Sequence, residues 1–141
     1  MVIDSTGYVG IGTPTPAALL DVAGGILGRD INGITVNLTS DARFKRNLLP
    51  IDSALGKVLS LNGLSFEWRV EEYKDKGFPE GRHYGVIAQE IEKVLPEVVK
   101  ERPDGSKSVA YMEIIPVLIE AIKEQQKEIE QLNKKLSELH Q

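Results

Sequence analysis

The chain has 141 residues, 41% of them hydrophobic and 27% charged, which suits one ordinary domain, or a small domain with appendages. A net charge of −4 and a pI near 5.3 argue against a surface built for nucleic acid or anionic membranes. Without cysteine there is no disulfide, thiolate nucleophile or thiolate zinc site, and no apolar run approaches the roughly 18 residues of a membrane span.

The two histidines, His83 and His140, lack ligand spacing, so neither a metal site nor a cofactor is expected. Met1-Val2-Ile3-Asp4 has neither the basic start nor the apolar core of a signal peptide. It opens in mid-pattern, as a piece of a longer polypeptide would.

Residues 1–39 are poor in charge and rich in Gly, Pro and Thr. Tyr8–Gly12 and Ile34–Leu38 read as short strands, with Thr13-Pro14-Thr15-Pro16 and Gly24-Gly25 as turns. Ala17–Val22 fits either a strand or one helical turn. Large apolar residues are too few here for a separate core, so the segment needs copies of itself or a partner.

Residues 40–111 read as a compact mixed domain. Ser40 and Asp41 suit a helix start, with Ser40 at the N-cap. Ile51, Leu55, Val58 and Leu59 form a helical stripe, and Leu64–Val70 alternates as a half-buried strand. Glu71–Arg82 is a charged loop. Tyr84–Ala88 is a second strand or a strand-to-helix junction, and Gln89–Leu95 a helix stopped by Pro96. Val98–Glu101 and Lys107–Tyr111 flank Pro103-Asp104-Gly105, a hairpin signal.

In residues 112–141, Ile115, Leu118, Ile122, Gln125, Ile129, Leu132, Leu136 and Leu139 recur at spacings of three and four. That is a heptad seam with a polar outer face, read as a coiled coil between chains in preference to a helix packed on its own domain. Ile alternating with Leu leans toward two strands, while Gln125 in the seam suits two or three. Pro116 requires the helix to be in its first turn there.

The chemistry-bearing stretch is Ser40-Asp41-Ala42-Arg43-Phe44-Lys45. A serine hydroxyl is a weak nucleophile until a neighbour takes its proton, and Lys45 is a candidate neighbour. A free lysine titrates near 10.4, so burial or nearby positive charge must first strip its proton. Five helical residues subtend about 500°, so Ser40 and Lys45 do not share a helical face. Either Ser40 lies just outside the helix as its cap, or the pair closes through a bend, or Lys45 serves a neighbouring subunit. Arg43 either lends charge that helps free Lys45 of its proton or makes a surface ion pair; Asp41 reads as a capping residue.

Ser40–Lys45, then Tyr84-Gly85-Val86-Ile87-Ala88-Gln89-Glu90-Ile91 with Leu95-Pro96-Glu97-Val98, then Tyr111 leading into a coil, resembles the peptidase S74 or intramolecular chaperone domain. That domain occurs in phage tailspikes, endosialidases and neck appendages, and in myelin regulatory factor. The resemblance covers residues 40–141. Val9-Gly10-Ile11-Gly12-Thr13 and Leu20-Asp21-Val22 resemble a tail-fibre shaft.

The implied protein is α+β: a short Gly-rich β shaft (1–39), a mixed chaperone domain (40–111) and a C-terminal trimeric coiled-coil helix (112–141). It forms a homotrimer on the upstream shaft of the same polypeptide, in a virion assembled in the host cytoplasm, without membrane or nucleic-acid partner. The family cuts its own chain immediately before the motif serine, here at Thr39–Ser40, with Ser40 as nucleophile and Lys45 as base. Two other readings are a trimerisation module with an inert pair, and a self-cleaving domain that frees an upstream regulatory protein.

Overall fold

A computed structural model describes residues 1–24 and 38–139. They fall into two compact units, Met1–Arg46 and Asn47–Gln141. No helix among the described residues is long and apolar enough to cross a membrane.

In the first unit, β1 (Val2–Ile3) pairs antiparallel with β2 (Val9–Ile11), which pairs in parallel with β3 (Leu20–Val22). Asp4 closes the β1–β2 turn. Its carboxylate accepts from the Thr6 hydroxyl at 2.6 Å, the Thr6 N–H at 2.8 Å and the Tyr8 N–H at 3.0 Å. These bonds, the Thr6 hydroxyl's first, hold the carboxyl below its ordinary range. Ala17–Val22 therefore resolves as a loop entering a strand.

The connection over residues 12–19 is shorter than the dozen or so residues a parallel crossover usually takes. Gly10 makes it fit: a Cβ there would collide with the Thr13 carbonyl oxygen. Gly10 is also the single buried residue among those described in this unit, while Ile3, Ile11, Leu19 and Leu20 are exposed. The described residues of this unit form no core of their own. All of the strand expected at Ile34–Leu38 except Leu38, and Gly25 of the expected turn, lie outside the described residues.

The second unit comprises α1 (Ala54–Leu59), the antiparallel pair β4 (Leu64–Glu67) and β5 (Arg82–Gly85), α2 (Ala88–Ile91), and the hairpin β6 (Val99–Glu101) with β7 (Lys107–Val109). It ends in α3 (Tyr111–Leu139). The class is α+β, as the sequence implies. Its core is Ala54, Ile91, Leu95, Val98, Ile114, Val117 and Ala121, with Ile91 only 1% exposed. The helix expected over Gln89–Leu95 keeps α-form only to Ile91. From there the Lys93 and Val94 N–H groups bond three residues back, a tightened turn that seats Leu95 before Pro96.

Helix α1 is six residues long, too short to persist unaided. Ser53, ahead of it, has φ 51° and makes no side-chain cap. The cap comes instead from α3: Ala54 and Leu55 N–H donate to the two Glu124 carboxylate oxygens at 3.1 and 2.8 Å. Two otherwise unpaired donors are thereby satisfied. Glu124→Ala is expected to cost about 1–2 kcal/mol in urea unfolding, as lost caps do, and Glu124→Gln less.

Gly85 explains part of the Tyr84–Ala88 motif. The Tyr111 hydroxyl accepts from the Val86 N–H at 3.2 Å and sits 2.8 Å from where a Gly85 Cβ would stand, with Phe66 at 3.1 Å. Gly85→Ala is expected to push out one of these rings and lower the denaturation free energy by about 1–3 kcal/mol, read from the urea midpoint. Tyr111→Phe, which removes the hydroxyl, should partly relieve that cost.

Beyond β4, Trp68 stacks on Phe78 at 4.2 Å and meets Phe66 edge-on at 5.0 Å, so these aromatics pack together outside the core. The charged loop is less free than it reads. Lys74–Lys76 forms a 3-10 turn, and the Lys76 amine donates to Asp104 of the hairpin turn at 2.8 Å. Lys76 and then Ser106 hold the Asp104 carboxyl far below its usual range.

Helix α3 carries two apolar stripes. Ile114, Val117 and Ala121 are buried in the unit's core, and Glu124 ends that stripe on α1. Ile115, Leu118, Ile122, Ile129, Leu132, Leu136 and Leu139, one residue out of phase, are exposed. The two uses weighed for this helix are therefore not exclusive: one stripe packs within the unit, and the heptad seam is left uncovered. Pro116 lies in the second turn of α3, later than expected. Its missing N–H leaves the Met112 carbonyl without a helical donor, a cost that Ile114 and Val117 offset by burial on either side.

Candidate active site

The Ser40–Lys45 run folds as a single 3-10 turn, Ala42–Phe44. Its N-cap is Asp41, not Ser40. The Asp41 carboxylate accepts from the Arg43 N–H at 2.9 Å, while the Asp41 and Ala42 carbonyls accept from the Phe44 and Lys45 N–H groups at 3.1 and 3.0 Å. The Asp41 carboxylate suits this place because the exposed N–H groups carry partial positive charge. Ser40 is left one residue outside the turn, in irregular backbone.

This displacement brings the pair together. The Lys45 backbone leaves the turn extended (φ −112°, ψ 146°), and its amine donates to Ser40 Oγ at 2.7 Å. Within the single chain Ser40 stands outside the turn without capping it, and the pair closes as Lys45 turns back toward it. The heavy-atom distance serves proton transfer in either direction. As it stands the amine is the donor. To act as a base it must lose its proton, after which the hydroxyl donates to nitrogen across the same gap.

Arg43 adopts the ion-pair role. Its Nε lies 3.1 Å from each Asp41 oxygen and its Nη2 2.7 Å from Oδ2, a two-pronged fork that lowers the Asp41 carboxyl and raises the guanidinium. Its charge is thus spent on Asp41. The sequence expects Lys45 in a partly buried setting. In the single chain Thr39, Ser40 and Lys45 are all exposed, as are Leu38 and Phe44 beside them. The fork is the feature that the sequence left undecided; its signal was the Asp-x-Arg spacing directly after the serine.

Two carboxylates of α2 and the turn after it have structural partners. Glu90 accepts from Asn62 at 3.3 Å, and Glu92 binds the Lys107 amine at 2.6 and 2.8 Å, tying α2 to the hairpin.

Comparison with known proteins covers this run within a longer match. The family model described as Peptidase S74, chaperone of endosialidase, matches residues 40–100, beginning at the serine. The long tail fiber protein Gp37 of Enterobacteria phage K3 is 37% identical over 112 residues, covering 77% of this chain and 9% of that protein. Gp37 of Enterobacteria phage T2 gives the same identity over 8% of its length, and Gp37 of Salmonella phage S16 is 33% identical over 121 residues, 82% of this chain and 15% of the relative. The chain thus spans less than a tenth of the length of the first two.

Proposed function

Residues 40–100 of this chain belong to the Peptidase S74 family, chaperone of endosialidase, and on that premise we propose that the chain assembles a phage tail fibre as a homotrimer and then cuts itself at Thr39–Ser40. The observation that carries the reading is the 2.7 Å contact between the Lys45 amine and Ser40 Oγ at the start of the matched segment.

The reaction is a single acyl transfer and a hydrolysis. Lys45, unprotonated, takes the Ser40 hydroxyl proton as Oγ attacks the carbonyl carbon of Thr39. The Thr39–Ser40 C–N bond breaks, the nitrogen takes up the proton, and an ester joins the Thr39 carbonyl to Ser40 Oγ. Water then cleaves the ester, leaving a Thr39 carboxylate and Ser40 as a new N-terminus. Folding supplies proximity, since nucleophile and substrate are neighbours in one chain. On this reading Lys45 loses its proton after assembly, when neighbouring copies would exclude water from it.

The α3 seam supplies the assembly. It raises the effective concentration of the preceding chains and sets their register. Removing the head afterwards leaves the shaft trapped kinetically in its assembled form. The product is a virion fibre component made in the host cytoplasm.

Intact-mass spectrometry of the purified chain over time is the test. Two fragments dividing at Thr39–Ser40 are expected, with Ser40→Ala remaining whole while keeping the parental oligomeric state. A parent chain that assembles and never divides would leave a trimerisation module with an inert pair.

A further inference from the structure

We propose that Asp41 and Arg43 are the positioning residues of the self-cleavage reaction, a cap and fork that deliver the Lys45 amine to Ser40. The inference rests on the proteolytic reading above and adds two residues to it. The Ser40–Lys45 pair has little else to hold it, since both residues are exposed and the run sits on one 3-10 turn. An isolated turn of this length, with bonds from only the Phe44 and Lys45 N–H groups, is not stable alone.

Asp41 bonds the turn at two points that a single residue seldom combines. One carboxylate oxygen takes the Arg43 N–H at 2.9 Å, and the two together take the Arg43 guanidinium at 2.7–3.1 Å. Backbone and side chain of residue 43 are thus both fixed to residue 41. That anchoring sets the course of the chain beyond the turn, which exits at Lys45 with the side chain directed back across to Ser40. Because the Asp41–Arg43 pair is exposed, it contributes little to global stability. Its effect is on the fraction of time the amine spends at the hydroxyl. That separation makes the role measurable.

Cleavage rates of the full chain would be followed by intact mass for the parent, Asp41→Ala, Asp41→Asn and Arg43→Lys, alongside melting temperature and light scattering. Asp41→Ala loses cap and fork and is expected to cut about tenfold more slowly, with melting and assembly unchanged. Asp41→Asn keeps an acceptor for the Arg43 N–H, and Arg43→Lys keeps the charge and the cap; each should recover part of the rate. Asp41→Ala cutting at the parental rate would overturn the proposal, as would a rate loss that neither conservative variant relieves.

A second readout is independent of cleavage. In the Ser40→Ala chain, the Arg43 Nε–H should give a slowly exchanging proton resonance that disappears on adding Asp41→Ala. Its absence overturns the fork. Its presence in a chain whose parent never divides overturns the proteolytic reading instead.

Discussion

Lys45→Arg is expected to stop cleavage as completely as Lys45→Ala, by about a thousandfold or more in the first-order rate measured by intact mass. The substitution is chosen because it preserves everything Lys45 does as a cation. An arginine reaches Ser40, donates a hydrogen bond and keeps its positive charge. It differs in one respect: its proton does not leave at any pH a protein survives. If the amine merely orients the hydroxyl, Lys45→Arg should retain much of the activity. If it is the base, both variants yield the intact chain. Parental cleavage by Lys45→Arg would remove the base from the mechanism.

The second large effect concerns α3, where the two stripes make opposite predictions. Ile114 is 9% exposed within the unit, so Ile114→Ala should lower stability by about 2–4 kcal/mol in urea, partly through the cavity left behind. Leu132 is 59% exposed, and no packing inside the unit depends on it. Leu132→Asp should leave the circular dichroism of the globular part intact yet, on the proposed assembly, convert the trimer in light scattering to a single chain. Charges placed at a coiled-coil seam are buried unpaired once the helices associate. A Leu132→Asp chain that remains trimeric would exclude the seam as the association surface. Loss of the trimer should also slow cleavage, because exclusion of water from Lys45 is assigned to the assembled state.

How much of the fold and site is legible in the sequence depends on how local each signal is. The helical heptad in α3 and the Pro103-Asp104-Gly105 turn depend on neighbouring residues alone, and each appears where the pattern puts it; the strand read over Leu64–Val70 forms only as Leu64–Glu67, with Leu64 and Trp68 exposed. The Ser40–Lys45 pair is visible as spacing, although its route is not. Whether Ser40 or Asp41 caps the turn depends on a competition between a hydroxyl and a carboxylate that composition does not rank. The stripe Ile114–Val117–Ala121 is hidden because it runs one residue beside a stronger pattern on the same helix. Glu124 is hidden for another reason. A helix is ordinarily capped from its own sequence, and Ser53 stands ready; its left-handed backbone leaves the task to a carboxylate seventy residues away. Gly85 likewise becomes intelligible only with Tyr111 folded against it.

The phase of the two stripes has a mechanical consequence. A step of one residue turns an α-helix by about 100°, so the packed stripe and the seam are fixed at that angle around α3. In the proposed trimer each globular head would be held at the same angle to its own helix's seam, so the heads would be spaced evenly around the bundle, like blades keyed to a shaft. One residue inserted between Glu124 and Ile129 would rotate the distal seam by about 100° against the heads without touching a core contact. Seven inserted residues would restore the alignment almost fully and only lengthen the rod.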